Sequence, residues 1–152
     1  MSESIAQVQN LTHRFKLTKK VSIKAVDHVS FSIQKGEIFG LVGESGSGKS
    51  VTAYSIMRIL ESNGRIEEGS VLYKGKDVTK FTEKEMRDFR GKCCSIIFQD
   101  PMTSLNPLKK VGMQIQESIE LHQGLDKAAA KAEAIRMLDI VGIPNPEVRY
   151  NQ

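Results

Sequence analysis

Apolar and polar residues alternate at Val21, Ile23, Ala25 and again at Val29, Phe31, Ile33, the two-residue period of a half-buried strand. Gln34-Lys35-Gly36 reads as a turn. Ile38-Phe39-Gly40-Leu41-Val42 is a short continuous apolar run, expected of a strand covered on both faces. From Lys49 to Leu60 the spacing of Val51, Tyr54, Ile56, Met57, Ile59 and Leu60 predicts a helix. A short strand follows at Val71-Leu72-Tyr73 between the turn glycines Gly64 and Gly69 and a helix over Glu83 to Phe89, which Thr82 and Glu85 open as a capping box. Cys94 to Phe98 reads as a second buried strand. Amphipathic helices are predicted over Val111 to His122 and Lys127 to Val141, the last ended by Gly142 and Pro144. Strands preceding helices argue an α/β architecture.

The chain has 152 residues, 39% apolar and 26% charged, which suits one compact domain and excludes a disordered tail. The net charge of +4 is scattered, with no basic stripe of the kind nucleic acid requires, so no nucleic-acid partner is expected. No segment reaches the roughly 18 apolar residues of a membrane span, and the polar start carrying Glu3 does not read as a secretory signal. Cys93 and Cys94 are adjacent, an arrangement that fits neither a disulfide framework nor a metal site. They are expected to be small buried residues on a strand.

The chemistry concentrates in Gly43-Glu44-Ser45-Gly46-Ser47-Gly48-Lys49-Ser50, which fits the phosphate-binding pattern G-x-x-x-x-G-K-[S/T], the Walker A motif. Its glycines let successive N–H groups turn inward as an anion nest, and the start of the following helix adds partial positive charge. Lys49 supplies a full charge for the β- and γ-phosphates. Ser50 offers a hydroxyl to a Mg²⁺ bridging them.

Taken with Ser95-Ile96-Ile97-Phe98-Gln99-Asp100-Pro101-Met102-Thr103-Ser104-Leu105-Asn106-Pro107, this loop resembles the ATP-binding subunits of ABC transporters. Gln99 stands about fifty residues after Lys49, where that family carries its Q-loop glutamine. The stretch from Asp100 to Pro107 and Val141-Gly142-Ile143-Pro144-Asn145-Pro146 are similar to the oligopeptide/dipeptide importer branch. The resemblance implies a P-loop NTPase fold of ABC-ATPase type, present in its N-terminal portion. It would comprise an antiparallel β subdomain over 1–36, part of the P-loop core over 37–100, and the Q-loop with the start of a helical subdomain over 101–152.

The same resemblance implies that Phe15 stacks on adenine, the alternative being an ordinary strand residue. It implies that Gln99 reaches Mg²⁺ and the attacking water, the alternative being a plain polar residue at a strand end. The loop from Asp100 to Pro107 would face a coupling helix of a membrane-spanning subunit. The implied cofactors are ATP and Mg²⁺. The implied partners are transmembrane permease subunits and a second ATP-binding subunit, identical or not. The implied location is cytoplasmic, peripheral on the inner face of the cell membrane.

The family's pattern continues with a signature loop, a Walker B aspartate, a catalytic glutamate and a switch histidine. None is in this sequence, and His13, His28 and His122 do not stand where the switch histidine should. They are expected to be surface or locally satisfied histidines. ATP binding is therefore expected, and turnover by the isolated chain is not. Two alternatives remain open from the residues: a self-contained small P-loop NTPase or kinase with Asp100 as metal ligand, and a nucleotide-binding fragment without turnover.

Overall fold

The computed structural model describes residues 4–100 and 104–152. They fall into two compact units, one running to Arg87 and one from Asp88 to Gln152.

In the first unit, β1 (Ser4–Lys16), β2 (Ser22–Gln34), β3 (Gly64–Tyr73) and β4 (Lys76–Asp77) form one antiparallel sheet in the order β2-β1-β3-β4. The alternation read at Val21 to Ile33 is one strand, β2, interrupted by a bulge around His28, whose φ is 51°. A matching irregularity in β1 places Asn10 at φ 47°, and Thr12 Oγ1 accepts from the His28 N–H at 3.2 Å. This paired distortion strengthens the local twist. Lys74 and Gly75, both at positive φ, make the tight β3–β4 turn. Val8, Leu11, Val26 and Val71 are buried in the core of this unit. The sheet takes in Gly64 to Ser70, where the sequence predicted only Val71–Tyr73, because pairing with β1 recruits a polar stretch that carries no strand signal of its own.

Helix α1 (Lys49–Ile56) begins where expected but stops before Leu60, since Arg58 takes φ 47° and sends its guanidinium to the Phe81 carbonyl at 2.5 Å. Thr82 and Glu85 do form a capping box ahead of α2 (Glu83–Asp88): Glu85 takes the Thr82 N–H at 2.8 Å, and Thr82 Oγ1 takes the Glu85 N–H at 3.3 Å.

Two expected strands are not formed. Neither Ile38–Val42 nor Cys94–Phe98 is a strand of the described sheet, and Ile38, Val42 and Ile97 are 99%, 90% and 93% exposed. An apolar run becomes a strand only when a neighbouring strand takes its N–H and C=O groups, and the described sheet is built from β1 to β4 without these two runs. Cys93 correspondingly ends a π-helical turn, Phe89–Cys93, exposed rather than buried, and Cys94 is half-buried.

In the second unit, α3 (Val111–Gln123), α4 (Lys127–Ile140) and α5 (Pro146–Tyr150) pack around Ile119, Ala130, Ala134, Leu138 and Tyr150. Ala130, Ala134 and Leu138 recur every four residues, which lines them along one helix face. Gly112 admits the Tyr150 ring, where a β-carbon would collide with it, and the Tyr150 hydroxyl donates to Gln116 Oε1. Gly124 closes α3 at φ 68°, and Asp126 caps α4 by accepting the Ala129 N–H at 2.9 Å. Asp126→Ala is expected to cost about 1 kcal/mol, read as a lower urea midpoint with an unchanged slope. Among the described residues, no helix is long and apolar enough to cross a membrane.

Candidate phosphate-binding site

The glycine-rich segment folds into a loop closed by its own lysine. Lys49 Nζ donates to the Gly43 carbonyl at 2.7 Å and the Glu44 carbonyl at 2.6 Å, with Ser47 Oγ at 3.4 Å. An ammonium has three N–H bonds to give, and here all three reach back into the loop. The Ser47 N–H donates to Glu44 O at 3.2 Å, which sets the turn. The first backbone bond of α1 runs from the Thr52 N–H to Gly48 O at 2.8 Å, so the N–H groups of Lys49, Ser50 and Val51 are the donors a helix start leaves unpaired. Unpaired donors at a helix start that itself carries a lysine are the composition of an anion site.

Gly48 fixes where the loop sits. It adopts φ 89°, and a β-carbon there would strike the carbonyl oxygen of Ala25 in β2. The loop is thus pressed against the sheet through a backbone contact that only glycine permits. Ser50 is exposed beside the loop, with its hydroxyl free for a hard cation. An oxygen donor next to phosphates suits Mg²⁺, which takes one or two protein oxygens and fills its sphere with phosphate and water. Among the described residues no group of three or more acidic, histidine or cysteine side chains forms a metal cage.

The second anchor of the loop was not legible in the sequence. His13, expected at the surface or locally satisfied, is 1% exposed. Its Nδ1 lies 2.9 Å from Ser55 Oγ on α1, and Ser55 donates its one proton to Val51 O at 2.7 Å. Ser55 must therefore accept from His13, so the imidazole carries its proton on Nδ1. The bare Nε2 is buried without a partner. Burial holds His13 below the usual imidazole range, against the opposing pull of the Glu61 carboxylate. The two-residue step Leu11, His13, Phe15 was the available signal, since strand alternation puts the three on one face.

Phe15 lies on β1, half-buried, its ring 4.8 Å from that of His13 and tilted by 48°. It shares the sheet face that α1 meets through His13. The structure therefore brings residues 43–50 and Phe15 into one unit. Gln99 is exposed and belongs to the second unit. Of the loop from Asp100 to Pro107, residues 101–103 lie outside the described residues. Asn106 organises its end, accepting the Leu108 N–H on Oδ1 at 2.9 Å and the Gln114 amide on its carbonyl at 3.1 Å. Burial raises the Cys94 thiol above its usual range, which removes it as a nucleophile at neutral pH.

Comparison with known proteins gives a consistent picture. The sequence pattern described as ABC transporter matches residues 26–151. The oligopeptide transport ATP-binding protein OppD of Bacillus subtilis (strain 168) is 47% identical over 149 residues, covering 97% of this chain and 41% of that protein. The dipeptide transport ATP-binding protein DppD of Escherichia coli (strain K12) is 47% identical over 128 residues, covering 84% of this chain and 39% of that protein. The chain thus spans about two-fifths of the length of these relatives. Among solved structures, a dimeric post-hydrolysis state of the ATP-binding cassette MJ0796, bound to ADP and Pi, superposes with a TM-score of 0.73 at 22% identity, over 89% of this chain and 56% of that one. A nucleotide-free ATP-binding cassette superposes with a TM-score of 0.62 at 23% identity, over 98% of this chain and 57% of that one.

Proposed function

Since the chain belongs to the ABC transporter family and carries part of the ATP-binding-cassette fold, we propose that it binds Mg-ATP through residues 43–50. In this reading it is the N-terminal portion of the nucleotide-binding subunit of a peptide-type importer, and couples ATP binding and hydrolysis to transport. Its partners are transmembrane permease subunits and a second ATP-binding subunit, and it works at the inner face of the cell membrane. The peptide class rests on the two relatives named above.

The observation that carries the binding proposal is the glycine-held loop that Lys49 closes at the start of α1. Lys49 moves its weakest contact, the 3.4 Å approach to Ser47, onto the β- and γ-phosphates. Ser50 ligates the magnesium ion, whose chemistry is to neutralise charge between those phosphates. Phe15 stacks on the adenine. Stacking of that kind contributes about 1–3 kcal/mol.

Calorimetric titration with Mg-ATP tests this. Lys49→Ala removes both the phosphate-facing charge and the clamp on the Gly43 and Glu44 carbonyls, so affinity is expected to fall about ten- to a hundredfold, the worth of losing a charge-assisted contact. Equal affinity of the two chains would overturn the assignment. Ser50→Ala is expected to remove mainly the Mg²⁺-dependent part of the affinity.

A further inference from the structure

The sheet face turned away from α1 carries an uneven set of charges. Alternation along β1 puts Arg14 and Lys16 on the side opposite His13 and Phe15. Register then sets Arg14 directly across from Lys24 of β2 and from Arg65 of β3. Three cations stand abreast on three strands, and like charges in facing positions destabilise a sheet. Two carboxylates offset part of this. Glu67 takes Arg14 at 2.7 Å and Arg65 at 3.4 Å, and Asp27 takes Lys24 at 3.0 Å.

The end of β1 and the turn after it add Lys16, Lys19 and Lys20, none in an ion pair among the described residues. A cleft of about 360 Å³ opens there, walled by Arg14, Lys16, Lys19, Lys20 and Arg65, and no carboxylate lines it. Ser22 Oγ, also in the wall, accepts from Arg14 at 3.0 Å and keeps its own proton to donate.

We propose that this cleft is a binding site for a small anion bearing two adjacent phosphate groups, distinct from the phosphate loop on the other face. The guanidiniums are already turned toward Glu67, so the ligand meets mainly lysines. An ammonium acts as a point charge and suits phosphate oxygens without demanding the planar fork of a carboxylate pair. The volume lies at the small end of ligand pockets. Nucleic acid is disfavoured because the basic area ends at Glu67, Glu68 and Asp27 instead of continuing as a stripe.

Pyrophosphate titrated into the Lys49→Ala chain provides the test, that substitution having weakened the phosphate loop as competitor. One equivalent is expected to bind, more weakly as salt is raised. Adding Lys16→Glu and Lys20→Glu is expected to lower the affinity at least about tenfold. Both side chains are exposed, so an unchanged melting temperature shows that the variant is folded. Lys109→Glu with Lys110→Glu, outside the cleft, is expected to leave the affinity unchanged. Three results overturn the proposal: no saturable binding, binding that survives reversal of the cleft charges, or an equal loss in the Lys109 and Lys110 variant. The last would mean diffuse attraction to a basic protein.

Discussion

Gly48→Ala is expected to be the most damaging single-methyl change in the phosphate loop. At φ 89° any L-residue with a side chain carries strain of about 1–2 kcal/mol. The added carbon would also be driven into the Ala25 carbonyl, so either the loop lifts off β2 or the strand bends. Total destabilisation above about 2 kcal/mol is expected, together with loss of measurable Mg-ATP binding, because the N–H groups at the start of α1 move with Gly48. Gly46→Ala separates the two causes. Gly46 has a similar φ of 80°, but open space where its β-carbon would go, so it is expected to cost only the backbone strain. Equal losses in the two variants, by chemical denaturation, would show that close approach to Ala25 does not hold the loop.

The second large effect is expected on acidification. His13 binds its proton less readily in the folded state than in the unfolded chain, where imidazole titrates near 6.5. Both states are neutral well above that value, and the fold keeps its full stability there. As pH falls below about 6.5 the unfolded chain takes up the proton first, so stability declines toward the folded-state value. Below it a charge is forced onto the partnerless Nε2 beside Phe15. The melting temperature is therefore expected to drop between pH 7.5 and 5.5, with Mg-ATP affinity weakening alongside. His13→Asn places a neutral amide donor near the Nδ1 position facing Ser55 and is expected to flatten both profiles. A profile as steep in His13→Asn as in the unmodified chain would move the effect to another group.

How far the sequence disclosed this molecule depended on how local each determinant was. The phosphate loop was legible because its glycines, lysine and serine act within eight consecutive positions and need no distant partner to adopt their geometry. Helices α3 and α4 were legible through their spacing, and the end of α4 through Gly142 and Pro144. Strand pairing is a different kind of determinant. Gly64 to Ser70 looks like a loop by composition and is a strand because β1 lies beside it. Ile38 to Val42 looks like a strand and is not one among the described residues, for want of a neighbour. His13 was misjudged for the same reason, since its burial is decided by Ser55 on a helix more than forty positions away.

The exposed apolar residues Ile38, Val42 and Ile97 bear on how a newly made chain is handled. By the time Asp77 leaves the ribosome, every residue of β1 to β4 and α1 is available, and the sheet can close. Closure does not hide Ile38 and Val42, which remain open to water in the folded unit. Chaperones recognise apolar segments of this kind, and unpaired strand-like stretches are also where nascent proteins associate wrongly. Closing the sheet stacks Phe39 on Phe31 of β2, with ring centroids 4.8 Å apart, and leaves Ile38 and Val42 as adhesive positions. Retention by a holdase is then expected to persist after the sheet is complete, until Ile38 and Val42 are covered.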